Sequence, residues 1–387
     1  MATFLFVPYS AAGHVYPMLP VIQMLAARGE TVRAVVGRAF AEAVRDAGAE
    51  AIVLEAVPDV FVPERLVGGQ ALRFVTDRAR RPAVNARAAR SLARALRRRR
   101  PDLIVLDPMI GWADRVARRY GIPSAVFSTT YADSDEVFAA VRGVPRWLSL
   151  LRPSAGSHRL PDRLVLVNAV PDLQPAADSL AGDVHFVGPL LCARRVGWDT
   201  LGWQVPDRHR LLYASSGTVF ARGPAFFRTI ADAFADQPWL VVLATGQLDP
   251  GELGALPSNV VARRHVPQQA VLDRSDVFLT HAGMNSSLEG LAAGVPMALV
   301  PRSSEQRFLA GRLAALGVGT PVEISRDQPL QVRRVITMLA DDPAVRAATD
   351  AWRRALERID GPRMAADLLC GRARRYRGPW QSSEADR

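Results

Sequence analysis

Lysine is absent from this sequence, and cysteine occurs only twice. All 49 basic side chains are therefore arginines, set against 38 acidic ones, for a net charge of +11. Arginine in place of lysine, together with abundant alanine, is the mark of a GC-rich genome, so the charge alone does not point to nucleic acid. The arginines lack aromatic interleaving and no binding motif accompanies them, so no nucleic-acid partner is expected. Cys192 and Cys370 stand far apart, which leaves no disulfide framework and no clustered metal site. No stretch approaches the ~18–20 uninterrupted apolar residues of a membrane span. Met1-Ala2-Thr3 runs straight into Phe4-Leu5-Phe6-Val7, without the basic region and cleavage site of a secretory signal. These absences predict a cytoplasmic protein without membrane contact.

What is there suits a large core. Of 387 residues, 49% are hydrophobic and 22% charged, the balance of a globular chain of two or three domains. Strands are expected at Thr3–Pro8, Thr31–Val36, Ala51–Glu55, Asp102–Asp107, Ser124–Phe127, Arg163–Asn168 and Val184–Val187. Helices are expected at Pro17–Ala27, about Pro82–Arg100 and Trp112–Tyr120. The alternation restarts with strands at Arg210–Ala214, Leu240–Ala244, Asn259–Ala262, Val277–Thr280 and Met297–Val300, and helices at Pro224–Ala235, Ser286–Ala293, Glu305–Leu316, Gln331–Leu339 and Asp342–Arg358. Continuous apolar strands separated by helices predict parallel sheets covered on both faces. The fold class is thus α/β: two doubly wound, Rossmann-like domains facing each other across a cleft. The boundaries expected are 1–190, a linker over 191–207, a second domain over 208–360, and a segment 361–387 that crosses back to the first. Stretches 60–80 and 131–160 fit the alternation poorly and are expected as irregular segments lining the crevice. Arg97-Arg98-Arg99-Arg100 ends a helix, where cations suit the macrodipole. It reads either as a solvated helix end or as a patch for an anion, a membrane or an acidic acceptor.

The most informative segment is His281-Ala282-Gly283-Met284-Asn285-Ser286-Ser287-Leu288-Glu289-Gly290, which follows a strand and opens a helix. Free N–H groups and the helix dipole there can hold a diphosphate without a metal. Gly283 permits close approach, Asn285 and Ser286 add donors, and His281 can offer an N–H. The same residues read as ordinary capping, with Ser286-x-x-Glu289 as a capping box, and the two readings are compatible. Ser215-Ser216-Gly217-Thr218, after the first strand of this half, suits a phosphate turn or a plain tight turn. Glu305-Gln306, after the strand at 297–300, can bond vicinal hydroxyls of a sugar or simply occupy a solvated first helical turn.

In order and spacing, Pro267-Gln268, His281-x-Gly283-x-Asn285-Ser286-x-x-Glu289, Gly294-x-Pro296 and Glu305-Gln306 resemble the donor signature of nucleotide-sugar glycosyltransferases. The family is that of the plant and bacterial natural-product enzymes of GT-B fold, the macrolide glycosyltransferases among them. Gly13-His14, Phe186-Val187-Gly188-Pro189-Leu190 and Gly361–Leu368 extend the resemblance over nearly the whole chain. It implies that His281, Asn285 and Ser286 bind the diphosphate, opposed by Ser216, Gly217 and Thr218. It further implies that Glu289 bonds the ribose hydroxyls, Val266 and Gln268 flank base and ribose, and Glu305 and Gln306 hold the donor sugar. The family usually has Trp, stacked on the base, where this chain has His265, a ring of less stacking area.

The resemblance also implies an acceptor site in the first half, with His14 as general base and Asp107 accepting from its second nitrogen. Asp107 alone also reads as a turn residue before Pro108. The implied reaction is a single displacement from a nucleoside-diphosphate sugar to a small hydroxylated acceptor, inverting and free of metal or other cofactor. Retaining relatives carry a second glutamate eight residues after the first, and that position is Met297. Glu289 can meet both ribose hydroxyls, which predicts a UDP-hexose donor over a dTDP-deoxysugar. An epimerase of the same fold, a non-catalytic auxiliary partner and a membrane-docked transferase are the competing readings.

Overall fold

The computed structural model describes residues 1–54, 68–132, 134–143, 163–180, 182–192, 197–203, 205–206, 208–217, 222–325 and 328–376. The chain forms two compact units. One comprises the described residues of 1–60, 75–192 and 360–387, the other those of 61–74 and 193–359.

The first unit is a seven-stranded sheet of β1 (Thr3–Val7), β2 (Thr31–Gly37), β3 (Glu50–Leu54), β4 (Leu103–Leu106), β5 (Ser124–Ser128), β6 (Leu164–Val167) and β7 (Asp183–Phe186), in the order β3-β2-β1-β4-β5-β6-β7. All pairings are parallel. β1 shows why its sequence need not alternate. Phe4 and Phe6 point into one apolar layer with Val21, Leu25 and Leu369, and Leu5 and Val7 into the opposite one with Leu92, Ala113 and Ala117. Both faces are dry from Phe4 to Val7, so each of these positions is apolar. The helix Gly361–Tyr376 completes the first layer with Ala365, Ala366, Leu369, Cys370 and Ala373. Arg28 Nη1 donates to Asp367 Oδ1 at 2.7 Å beside it.

The second unit is a six-stranded sheet of β8 (Arg210–Ser215), β9 (Trp239–Ala244), β10 (Val260–Arg263), β11 (Val277–Thr280), β12 (Met297–Leu299) and β13 (Gly319–Pro321), in the order β10-β9-β8-β11-β12-β13, again all parallel. Both expected doubly wound sheets are therefore present. Among the described residues no helix is long and apolar enough to cross a membrane.

Several local expectations need correction. The helix expected from Pro82 begins at Gly68 and runs to Arg98 with Pro82 in its interior. Proline's preference for a first helical turn misplaced the start, and residues 68–80, expected as irregular, are helical. Within 131–160, Asp135–Arg142 is a helix, capped by Ser134 and ended by left-handed Gly143; residues 144–160 lie outside the described residues. Strand β13 and the short helices Ala41–Asp46 and Gln268–Leu272 were not expected. A three-residue Gly-Thr-Pro strand carries no pattern of its own and is set by pairing with β12. In the arginine cluster, Arg97 Nη1 donates to the Tyr120 hydroxyl at 2.7 Å and Arg100 Nη2 to the Gly121 carbonyl at 2.9 Å. Buried Arg33 donates to the Arg99 carbonyl at 2.8 Å.

Gly361 is buried, and a Cβ there would collide with the Val187 carbonyl, a backbone atom with little room to yield. Gly361→Ala is expected to destabilise the first unit by about 1–3 kcal/mol. Gly371→Ala, ten residues along the same helix with nothing near its added methyl, is expected to be neutral or stabilising by about 0.5–1 kcal/mol. Urea unfolding of the two variants checks the contrast.

Candidate functional site

Polar side chains gather at the carboxyl end of the strands in each unit. In the first, β1, β4 and β5 are neighbours, and each is followed by one member of a cluster. His14 follows β1. It was expected on a loop and stands instead in a single helical turn, Ala12–Val15. Asp107 directly follows β4, and His14 Nδ1 lies 2.7 Å from its Oδ2. The Asp107 side chain is fully buried, while 19% of the His14 side chain is accessible. A carboxylate only accepts, so Nδ1 carries a proton, and in the neutral ring the lone pair is on Nε2. Asp107 Oδ1 accepts from the Met109 amide at 2.8 Å, so the turn before Pro108 and the bond to histidine use different oxygens. Thr129, after β5, brings its Oγ1 within 3.1 Å of the same Nδ1, and the Tyr9 ring meets the imidazole edge-on at 5.3 Å. Burial raises the Tyr9 pKa; the Arg81 charge opposes the shift and the Asp107 charge adds to it. Thr129 was not singled out from sequence. The available signal was a polar Ser128-Thr129-Thr130 run at the end of a buried strand.

In the second unit, β8 and β11 lie side by side and their following turns enclose His281. Gly217 has φ +75°, and a Cβ there would stand 2.6 Å from the His281 ring; a Cβ at Gly283 would also strike it. Only glycine fits on either side. Between them, buried Ala282 adopts φ +58°, a conformation that costs a non-glycine residue about 1–3 kcal/mol and is concentrated at functional turns. Burial, and after it the charge of Arg222, pull the His281 pKa down to about 4, against a smaller opposing pull from the Ser215 backbone. His281 Nδ1 is buried without a hydrogen-bond partner of good geometry. The imidazole is therefore neutral near pH 7.

The helix behind it starts at Met284, with Gly283 as its N-cap and no capping side chain. The capping alternative for Asn285, Ser286 and Glu289 is thus not realised: Asn285 and Ser286 sit inside the first turn. Glu289 turns the other way, and its Oε2 accepts from Gln268 Nε2 at 2.6 Å. Gln268 Oε1 in turn accepts from the Tyr213 hydroxyl at 2.9 Å, and its Nε2 lies 3.5 Å from Ser286 Oγ. Tyr213, stacked on Phe278 at 5.0 Å and 1% exposed, was also missed from sequence. A tyrosine within the buried run Leu211–Ala214 was its signal, because a buried hydroxyl needs a partner. Burial pushes the Glu289 pKa up to about 6, with the Gln268 bond pulling the other way.

Ser216 is buried beside Gly217; Thr218 lies outside the described residues. His265 is exposed after β10, and Val266 half-buried. Glu305 lies in the first turn of the helix Ser304–Ala315, half-buried. Gln306 is buried, and its Oε1 accepts from the Arg302 and Ser303 amides at 2.8 and 3.3 Å while Ser303 Oγ accepts from the Gln306 amide. Its carbonyl oxygen is thus engaged in a capping box, and the amide nitrogen is the group left for a ligand.

Residues 162–345 match the family described as UDP-glucoronosyl and UDP-glucosyl transferase. The chain is 32% identical over 389 residues to an oleandomycin glycosyltransferase from Streptomyces antibioticus, spanning 93% of this chain and 88% of that one. It is 30% identical to a demethyllactenocin mycarosyltransferase from Streptomyces fradiae, over 96% and 86% of the two chains. Among solved structures, the calicheamicin glycosyltransferase CalG4 superposes with a TM-score of 0.74 at 30% identity, covering 97% of this chain and 99% of that one.

Glu289 gives this site a pH signature. Its folded pKa, about 6, lies above the ordinary 4.5. The native state therefore holds the proton more tightly, a contribution to stability fully present below pH 4.5 and lost as pH rises through 6. At 1.36 kcal/mol per pH unit this amounts to about 2 kcal/mol. Between pH 4.5 and 7 the wild type is expected to lose that much relative to Glu289→Gln. Denaturant unfolding of both proteins across the range measures it.

Proposed function

The chain belongs to the family of UDP-glucuronosyl and UDP-glucosyl transferases, of GT-B fold, and is a glycosyltransferase; on that premise we propose that it moves a hexose from a UDP-sugar to a hydroxyl of a small natural product, with inversion and without a metal. The observation that carries the reading is the His14–Asp107 pair, 2.7 Å apart at the carboxyl edge of the first sheet. His14 Nε2 takes the proton of the acceptor hydroxyl. The acceptor oxygen bonds to the anomeric carbon from the face opposite the diphosphate, whose bond to that carbon breaks, and nucleoside diphosphate leaves with the electron pair. Asp107 stays a carboxylate throughout: it holds the ring in the tautomer that leaves Nε2 basic and stabilises the imidazolium.

The second unit binds the donor in this reading. The uncapped start of the Met284–Ala293 helix and the neutral N–H of His281 hold the diphosphate. Glu289, already accepting from Gln268, meets the ribose hydroxyls, while Val266, Gln268 and His265 lie along ribose and base. Glu305 and the Gln306 amide face the sugar. Natural-product acceptors are proposed from the relatives, which are named for oleandomycin and calicheamicin. The Streptomyces fradiae relative is named for mycarosyl transfer, which keeps a dTDP-sugar as the second donor to test.

His14→Ala is expected to lower turnover about 10²–10⁴-fold, with UDP-glucose affinity by calorimetry near that of wild type. Turnover within a few-fold of wild type would remove His14 as the base. In competition binding, UDP is expected to outbind dTDP, and Glu289→Ala to weaken UDP more than dTDP, because thymidine lacks the 2′-hydroxyl. Equal binding of the two nucleotides, or equal weakening, returns the donor to dTDP-sugars.

A further inference from the structure

A departing nucleoside diphosphate carries several negative charges, and a neutral His281 offers it a hydrogen bond without any charge. We propose that Arg222 is the cation of the diphosphate site, contributing the charge while His281 contributes the N–H. The proposal rests on the reading of the second unit as the donor site and adds a residue to it.

The argument is one of placement. Arg222 precedes Gly223, the N-cap of the helix Pro224–Ala233, on the connection that follows β8. Its Nη2 donates to the Val300 carbonyl at 2.9 Å. Val300 directly follows β12, and its amide donates to the Thr280 carbonyl at 2.8 Å. Thr280 ends β11, and the next residue is His281. The guanidinium is thus fastened where β11 and β12 end, a single cross-strand step from the imidazole. Its Cζ lies over the Phe226 ring, 4.6 Å from the centroid.

Three further features converge on this place. The depressed pKa of His281 has the Arg222 charge among its causes, so the field of the guanidinium reaches the ring. His281 Nδ1 is buried without a partner. The Met284–Ala293 helix opens there without a side-chain cap. A guanidinium has five N–H donors in a planar fork that matches phosphate oxygens, and charge-assisted bonds of this kind are the strong ones. In the reaction, the electron pair of the breaking bond between anomeric carbon and oxygen stays on the diphosphate, and Arg222 stabilises it there. The same charge works against protonation of His281, so the ring remains a neutral donor through the cycle.

The test is calorimetric binding of UDP and of uridine to the full chain, across a range of salt concentrations. Arg222→Gln is expected to weaken UDP about 10- to 100-fold, the worth of a hydrogen bond to a charged group, and to leave uridine unchanged. Arg222→Lys is expected to recover part of the loss. The salt dependence of UDP affinity is expected to flatten in the glutamine variant. In NMR titration, with the resonance assigned by its loss in His281→Asn, His281 is expected to titrate at higher pH once the cation is gone. UDP affinity unchanged in Arg222→Gln overturns the proposal. So does a wild-type UDP affinity no more salt-dependent than that of uridine, a measurement that needs no variant. If Glu289→Gln and His281→Asn also leave UDP binding unchanged, the donor-site reading itself fails.

Discussion

Every strand pairing among the described residues is parallel, and the placement of the candidate sites follows from that constraint. Parallel sheets need crossovers on both faces, which keeps the strands dry and almost wholly apolar. Few polar side chains stand inside the sheets, Arg33 of β2 and Tyr213 of β8 among them, and those of the candidate sites emerge where the strands end, on the carboxyl edge. In the first unit the ends of β1, β4 and β5 release His14, Asp107 and Thr129 beside one another. In the second, the turns after β8, β10, β11 and β12 release Ser216, Gln268, His281 and Glu305. The sites are as local as they are because the register of neighbouring strands places these ends side by side.

The two units treat their histidines in opposite ways. His14 keeps a partly accessible ring, with a carboxylate against Nδ1 that fixes the orientation of the imidazole. His281 is closed between Gly217 and Gly283 with a cation in its field, an arrangement that keeps it neutral. In the proposed function one residue type is an acceptor of protons in one unit and a fixed donor in the other. For His281, burial and the sign of the neighbouring charge set the protonation state. Glu289 follows the same logic, since burial biases it toward its neutral form while Gln268 supports the ionised one.

The fold was legible in the sequence where it depends on runs of apolar residues, because a buried parallel strand has few alternatives. It was illegible where tertiary contact decides. β13 exists through β12, and the start of the Gly68–Arg98 helix is hidden by a proline within it. Of the site, motif residues such as His281, Gly283 and Glu289 could be picked out by their order along the chain. Their partners could not: Tyr213 reads as one more apolar strand residue, and Thr129 as a loop residue. Ser286-x-x-Glu289 matches a capping box letter for letter, yet the helix begins two residues earlier and Glu289 bonds Gln268 instead. Spacing reports which residues are near in sequence; the hydrogen bond is decided by what the fold brings opposite.

The helix Gly361–Tyr376 has a bearing on how the protein is made. It supplies Ala365, Ala366, Leu369 and Cys370 to the core around Phe4 and Phe6, yet it follows the whole of 193–359 in the chain. During synthesis the first unit waits, with one apolar layer incomplete, until the second has left the ribosome. The second unit's sheet is contiguous in sequence and has no such wait. The usual order of vectorial folding, with the N-terminal domain finished first, is thereby reversed, and the surface around Leu25 and Val187 is the part of the nascent chain in need of protection until the helix Gly361–Tyr376 has emerged.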